Sequence, residues 1–248
     1  MNLFNLHSIY ILIFLASSVL VVAQDSVIPL YTYPPNDGTK SYFVKGGNGT
    51  NIFVDEKGDP KKNTILFSSG HLTSRISWDP QWFDPELYKK FHLVRYDYRG
   101  IGRSGKPNYP NSHSLDLFSD DLSAVINELH SNYNFKKKKI ILIGWSIGTP
   151  VSINFMKRYP NVVIDGLISV CGIVNNSNII DDTVAPYLPD IIDPKENFPK
   201  VVLGLDVFVS HISFKPFSDE LRSFFLGNAV VTPLEYRRAV LGKYRISS

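Results

Sequence analysis

The segment "KKKKIILIGWSIGTPVSINFMKRYP", residues 136–160, contains the pattern that says most about the fold of this chain. Four lysines lead into an aliphatic run at 140–143, which has the composition of a buried β-strand. A turn with two glycines follows. Apolar residues then recur one helical turn apart, at Ile147, Val151 and Phe155, until Pro160 stops the helix. The pattern predicts a strand, a sharp turn and a helix, with Ser146 at the turn.

Ser146 is a candidate nucleophile because of this position. A serine hydroxyl is a weak nucleophile at neutral pH and needs exposure together with a nearby base. A sharp strand-to-helix turn exposes the hydroxyl, and it leaves room only for small residues two positions away, here Gly144 and Gly148. The following helix also points its N-terminus at developing negative charge. A purely structural turn, with Ser146 as a helix cap, is the alternative.

Further apolar segments with the composition of strands lie before and after this unit in the sequence. Continuous apolar runs at 63–70, 91–97 and 165–172 join the run at 139–144, and two short β-prone runs within 41–58 predict a hairpin. Strands that are apolar on both faces belong in a covered parallel sheet. An amphipathic helix is predicted over 114–133, where apolar residues recur at spacings of three and four. Strands alternating with helices predict an α/β fold with a mostly parallel, doubly wound sheet.

The pattern changes from about residue 175 onward. Four prolines lie in 179–200, and the segments 218–229 and 232–245 are typical of short helices. We therefore interpret 175–248 as a helical cap-like region that follows a core at 41–174. Residues 24–40, rich in Pro, Tyr, Asn and Gly, are expected to form an irregular lead-in.

Composition places few limits on function. The 248 residues are 44% hydrophobic and 20% charged, as in an ordinary globular domain. A net charge of +3 is too small to indicate nucleic-acid binding. The lysine run 136–139 is either a solvated loop that protects the next strand or a binding patch. The only cysteine, Cys171, allows no intramolecular disulfide, and its apolar surroundings in the sequence predict a buried core residue.

The N-terminus predicts a secretory route. Residues 9–23 contain no charge, end with Val21 and Ala23 at the positions that signal peptidase reads, and precede a polar segment. We expect residues 1–23 to be a cleaved signal peptide and the protein to be secreted or luminal. The alternative is a retained membrane anchor at 3–23, since this stretch approaches transmembrane length. Only in that case is a membrane an expected partner.

Residues 41–174 resemble the α/β-hydrolase family. The segment 141–160 is similar to its nucleophile elbow and the helix behind it, 92–107 to its strand and glycine-rich turn, and 65–83 to its strand and oxyanion loop, in the family's order. The resemblance extends to serine hydrolases such as lipases and esterases and to proline-iminopeptidase-like members. It implies cleavage of a small ester, lipid or peptide substrate without a metal or organic cofactor.

The resemblance also implies roles for particular residues. Ser146 would attack the acyl carbon, and Gly144 and Gly148 would be the elbow glycines. The backbone N–H groups of His71, after the family glycine Gly70, and of Ile147 would form the oxyanion hole. A further set of residues is expected to shape a turn as scaffold: Asp97, Arg99, Gly100, Gly102 and Ser104.

The family's acid and histidine have no counterpart in this pattern. Both would follow further strands, whereas the sequence after Cys171 is cap-like, so the resemblance implies a chain that stops in or just after the cap. His211 is the only histidine after Ser146, and an ordinary surface role is favoured for it. No triad acid is assigned among the cap-like candidates Asp181, Asp190, Asp193 and Asp206. An incomplete serine hydrolase, a non-catalytic relative that binds a small apolar ligand, and an interaction domain all remain open.

Overall fold

A computed structural model describes residues 11–14, 37–133, 138–172, 184–193, 195, 197–213 and 216–241 of the chain. Its sheet has seven strands in the order β1-β7-β6-β4-β5-β3-β2. The strands are β1 (Ile11–Phe14), β2 (Lys40–Lys45), β3 (Asn51–Lys57), β4 (Thr64–Ser68), β5 (His92–Tyr96), β6 (Ile140–Trp145) and β7 (Gly166–Val170).

Helices connect and flank these strands. Those before the cap-like region are α1 (Asp79–Trp82), α2 (Pro85–Tyr88), α3 (Leu115–Asn132) and α4 (Gly148–Arg158). Those within it are α5 (Leu188–Ile191), α6 (Phe198–His211), α7 (Asp219–Val230) and α8 (Leu234–Leu241). Short 3-10 turns lie at Gly47–Gly49, Arg75–Trp78 and Ala185–Tyr187.

The sheet is mostly parallel, which confirms the predicted fold class. Strand β4 pairs in parallel with both β5 and β6, and β6 pairs in parallel with β7. Only the β2–β3 hairpin is antiparallel to its neighbours. Because all the central parallel strands end at one edge, the residues that follow β4, β5, β6 and β7 gather there.

Helices cover both faces of the sheet. Along β4, Leu66 belongs to a large apolar cluster that includes residues of α3, α4 and the cap-like helices. Its neighbours Ile65 and Phe67 belong to a second cluster, with Trp78 and Trp82 on the other face. Alternate side chains of one strand are therefore buried on opposite faces, as continuous apolar strands require.

Capping residues define the ends of the predicted helices. Ser114 accepts a hydrogen bond from Leu117 N at 3.2 Å and begins α3, and Ser218 does the same for α7 with Leu221 N at 3.3 Å. Helix α4 ends two residues before Pro160. The sequence analysis predicted a helical cap-like region without bounds for any helix before 218, and the structure has one long helix there, α6.

The N-terminal region contributes one edge strand. Residues 11–14, within the predicted signal peptide, pair in parallel with β7, from Ile11 opposite Leu167 to Phe14 opposite Val170. The rest of residues 1–23 and most of the lead-in 24–40 lie outside the described residues. Among the described helices, none has the length and apolarity needed to cross a membrane.

The prediction that Cys171 is a buried core residue was wrong, because the residue is exposed. Strand β7 ends at Val170, two residues before the end of the apolar run 165–172. Cys171 therefore lies in the turn beyond the strand, with a φ of 48°.

Candidate active site

Ser146 lies at the sharp turn between β6 and α4. Its φ of 52° is in the left-handed region, which costs energy for any residue other than glycine. The Ser146 N–H donates to the Val170 carbonyl at 2.9 Å, so the last residue of β7 holds the turn in place. A strained turn fixed at the carboxyl edge of a parallel sheet presents a side chain toward the space above that edge.

Two glycines make this turn possible. A Cβ on Gly144 would lie 2.5 Å from the Gly148 carbonyl carbon, and a Cβ on Gly148 would lie 2.5 Å from the Ser68 carbonyl oxygen. Real Cβ atoms do not approach backbone so closely. Thr149 adds a tether, since its hydroxyl donates to the Gly144 carbonyl at 2.9 Å. The helix can therefore start directly against the strands only because both positions lack a side chain.

The loop after β4 begins beside this turn. Ser68 is paired with Gly144 across β4 and β6, so residues 69–74 start next to the elbow. A Cβ on Gly70 would lie 3.0 Å from the Trp145 ring, which places that ring directly against the loop. The structure thus brings Gly70 and His71 to the same end of the sheet as Ser146.

The two expected oxyanion donors occupy different backbone settings. Ile147 immediately precedes α4, so its N–H has no acceptor within the helix. His71 is followed by Leu72 with a φ of 58°, a second left-handed residue close to the turn. Burial lowers the pKa of the His71 side chain to about 3. A general base should have a pKa near the working pH, so the buried His71 ring is poorly suited to accepting a proton.

The turn after β5 is built as scaffold. Asp97 accepts hydrogen bonds from Arg75 N at 2.8 Å and Arg103 N at 2.9 Å, and Ser104 Oγ donates to the Asp97 carbonyl at 2.7 Å. A Cβ on Gly102 would lie 2.3 Å from the Asp97 carboxylate. The carboxylate is fully buried and engaged in holding the loop.

A buried ionic chain behind the loop was missed by sequence reasoning. Arg75 Nη1 donates to Asp97 at 2.8 Å, and Arg75 Nε donates to Asp55 at 2.7 Å. Asp55 also accepts from Arg95 Nε at 3.2 Å, and Arg95 Nη1 donates to Asp79 at 2.5 Å. Charges of alternating sign thus connect β3, β5 and the segment after His71. Their separation along the chain left no local signal.

Another hydroxyl, imidazole and carboxylate meet at the opposite end of the sheet. His92 Nδ1 lies 3.1 Å from Thr64 Oγ1, and His92 Nε2 lies 3.0 Å from Glu56 Oε2. All three residues are at most 3% exposed, so no substrate reaches the hydroxyl. Hydrogen bonds tie the strands together here and do not form a catalytic site.

The remaining candidates do not converge on Ser146. His211 is exposed at the end of α6, where its Nδ1 lies 2.7 Å from the Val207 carbonyl of the same helix. Asp206 pairs with Arg222 across α6 and α7, and Asp190 lies 3.8 Å from Lys200. Asp193 accepts a hydrogen bond from Lys195 N at 2.8 Å. Asp181 lies outside the described residues.

The part of the chain that the structure describes contains no cluster of three or more His, Cys, Asp or Glu residues arranged to hold a metal ion.

Comparisons with known proteins identify relatives of this site and fold. Residues 87–191 match the family described as serine aminopeptidase, S33. A crystal structure from Burkholderia cenocepacia, provisionally assigned as an aryl esterase, aligns with a TM-score of 0.70 and 30% identity, over 81% of this chain and 71% of that one. An esterase from a Rhodococcus species shares the fold, with a TM-score of 0.69 and 19% identity, over 81% and 72% of the two chains.

Curated relatives match over shorter stretches. The AB hydrolase superfamily protein YisY of Bacillus subtilis is 28% identical over 51% of this chain and 43% of its own length. The protein named probable oxidoreductase EphD of Mycobacterium tuberculosis is 37% identical over 36% of this chain and 15% of its own length. The chain therefore spans less than half the length of these curated relatives. Together with the sheet order and the match to the Burkholderia protein across most of both chains, these findings show that the chain belongs to the α/β-hydrolase family.

Proposed function

We propose that Ser146 is the nucleophile of a serine hydrolase that cleaves a small acyl ester, amide or peptide bond through an acyl-enzyme. The observation that carries this proposal is the left-handed φ of 52° at Ser146, held between two glycines that admit no side chain. A serine used only as a helix cap has no need of this strain, since capping residues ordinarily have extended backbone. Backbone strain at a half-buried serine beside the carboxyl edge of a parallel sheet is typical of functional positions.

The proposed chemistry needs three groups. Ser146 Oγ attacks the acyl carbon, and the N–H groups of Ile147 and His71 receive the developing oxyanion. The start of α4 adds a favourable dipole. A base must take the serine proton. The histidines with assigned hydrogen bonds, His92, His113 and His211, are engaged with groups other than Ser146.

We therefore expect slow acyl transfer by this chain alone. Triad enzymes that lose their base retain roughly 10³-fold catalysis over water from the oxyanion hole and binding. The test is turnover of 4-nitrophenyl acetate by the purified chain, with mass spectrometry to locate any acyl or phosphonyl adduct. Slow turnover should disappear in Ser146→Ala and persist in Ser210→Ala, which removes an exposed serine hydroxyl at the end of α6.

Two outcomes would contradict parts of this proposal. Equal turnover by the parent chain and Ser146→Ala would show that Ser146 is not the nucleophile. Fast turnover that is lost in His211→Ala would show that His211 leaves its position beside Val207 and acts as the base.

A non-catalytic relative that binds a small apolar ligand is the second candidate. The engagement of the assigned histidines with other groups favours it. In that case the chain would bind an ester analogue with equal affinity in the parent and Ser146→Ala forms, and no adduct would form in either.

A further inference from the structure

Six lysines from three distant parts of the sequence lie together at the end of the sheet opposite Ser146. We define the basic face as Lys61, Lys62, Lys89, Lys90, Lys138 and Lys139. The sequence showed only the last pair as part of a lysine run. The fold adds the other two pairs, which precede β4 and β5 just as Lys138 and Lys139 precede β6.

Hydrogen bonds join the three segments directly. Thr64 N donates to the Lys139 carbonyl at 2.8 Å, and His92 N donates to the Asn63 carbonyl at 2.9 Å. Lys62 Nζ donates to the Lys89 carbonyl. Lys138 Nζ donates to the Pro60 carbonyl at 2.6 Å. These contacts fix the backbones of the three lysine pairs side by side.

Charge on this face is poorly balanced. Three acidic residues lie in or beside these segments: Asp59, Glu86 and Asp165, whose carboxylate accepts a hydrogen bond from Ile140 N at 2.8 Å. Glu86 pairs with Lys90 at 3.0 Å, but both side chains are more than 60% exposed and the pair is screened by water. The whole chain has a net charge of only +3. Six lysines against three acids leave an excess of three positive charges on one face, as large as the net charge of the entire molecule.

We propose that the basic face docks on the surface of an anionic phospholipid bilayer. Lysine ammonium groups are hydrated point charges, which suit the diffuse field of headgroups better than the paired geometry that arginine supplies. Among the described residues, the most exposed aromatic side chains are Phe43, Tyr109 and Phe198, and they lie outside the three segments. Stacking of nucleic-acid bases depends on such exposed rings, so the described part of the face favours a lipid surface over a nucleic acid.

Docking in this way sets the orientation of the candidate active site. Strand β6 runs from the basic face at Ile140 to the turn at Ser146, a distance of about 20 Å along a strand of this length. Ser146 would therefore face away from the bilayer, toward the solution. The docking inference rests on the basic face and is independent of the catalytic role proposed for Ser146.

The first test measures binding of the full chain to vesicles. The triple variant Lys61→Glu, Lys89→Glu and Lys139→Glu reverses one exposed lysine in each segment. Its matched control, Lys45→Glu, Lys157→Glu and Lys195→Glu, makes the same charge change at exposed lysines elsewhere. Partitioning onto vesicles with about 30% phosphatidylserine should fall by about 100-fold or more in the first variant, because each lysine near such a surface contributes about a fivefold gain. Partitioning of the control variant onto the same vesicles should fall much less.

Salt and lipid composition identify the interaction. Raising ionic strength from about 0.1 M to about 1 M shortens the Debye length from about 10 Å to about 3 Å and should release the parent chain. Equal, salt-resistant binding to pure phosphatidylcholine vesicles would instead reveal insertion of the N-terminal apolar segment and would overturn the proposal. So would equal vesicle binding by both triple variants, or tighter binding to a short RNA than to the anionic vesicles.

Orientation is tested with the single cysteine. Cys171 is exposed at the end of β7, beside the Ser146 turn. A fluorophore on Cys171 should keep its emission when the chain binds vesicles with nitroxide-labelled headgroups. A fluorophore on Lys89→Cys, in a Cys171→Ser background, should be quenched. Stronger quenching at Cys171 would place the active-site end against the bilayer and contradict the inference.

Discussion

At the scale of single residues, the turn at Ser146 requires glycine at positions 144 and 148, because a Cβ atom at either position would collide with backbone atoms. Gly148 lies against the Ser68 carbonyl, so the start of α4 and the end of β4 are closer than any side chain would permit. The G-x-S-x-G spacing predicted this restriction, because the strand before it and the helix after it leave little space. What the spacing could not predict is which backbone atom occupies that space.

Gly148→Ala should destabilise the protein by about 3 kcal/mol, since the new methyl group forces α4 away from β4. Gly227→Ala is the matched control, because a Cβ at Gly227, within α7, meets nothing within 4 Å. Alanine is the better helix former, so this variant should gain up to about 1 kcal/mol. Urea denaturation of the three proteins measures both effects. Equal stability of Gly148→Ala and the parent would contradict the packing described for the turn.

His113 should make the protein sensitive to mild acid. Burial, with a smaller effect from the nearby Arg99 charge, lowers the pKa of its ring to about 4. The unfolded chain binds a proton near the ordinary pKa of about 6.5, so stability is present above that value and falls as the pH drops toward 4. The loss attributable to this residue is about 3 kcal/mol.

His113→Phe keeps an aromatic ring against Tyr236, whose centroid lies 5.4 Å from that of His113, and removes the titration. The difference in unfolding free energy between parent and variant should be constant near pH 8 and should shift in favour of the variant between about pH 6.5 and pH 4. Urea titrations at several pH values measure it. A difference that stays constant across this range would show that His113 does not control acid stability. His71, whose pKa is also lowered by burial, accounts for part of the pH dependence of stability that remains in the variant.

At the scale of secondary-structure elements, the sequence predicted what depends on local pattern. The central strands and α3, α4, α7 and α8 follow from apolar periodicity, capping serines and prolines, each of which acts within a few residues. The order of the strands within the sheet was not predicted, because it depends on pairing between residues that are distant in the sequence.

The elements that sequence reasoning missed depend on distant contacts. The ionic chain through Arg75 and Arg95 joins residues up to 40 positions apart, and no pattern within a helix or strand encodes it. Strand β1 is a similar case. Its residues have the composition of a signal peptide, and only the edge of β7 gives them a strand partner. The end of β7 itself was misplaced because Cys171 continues the apolar run in sequence but lies beyond the last paired residue.

At the scale of the whole molecule, the cap-like helices and the sheet share one core. Tyr236 of α8 is fully buried, and its ring lies 5.8 Å from Phe118 of α3. Phe225 of α7 lies 6.4 Å from Trp145, the residue before the candidate nucleophile. Aromatic contacts thus connect 219–241 to the elements that position the site, even though the sequence suggested a separate cap-like region.

This shared core predicts that the described helices after residue 184 do not unfold independently. Tyr236→Ala should reduce the unfolding free energy by about 3 to 5 kcal/mol, as expected for loss of a large buried aromatic residue, while the parent and the variant each unfold in one transition. Tyr109→Ala, which truncates a ring that is 40% exposed, should change stability by less than about 1 kcal/mol.

Urea unfolding followed by circular dichroism and by tryptophan fluorescence provides two probes, because all three tryptophans lie before residue 146 and most of the described cap-like residues are helical. Transitions that coincide in both probes support a single core. If the helical signal were lost first and tryptophan emission later, the cap-like helices would form a unit of their own, and contacts such as Phe225 with Trp145 would not couple them to the Ser146 turn.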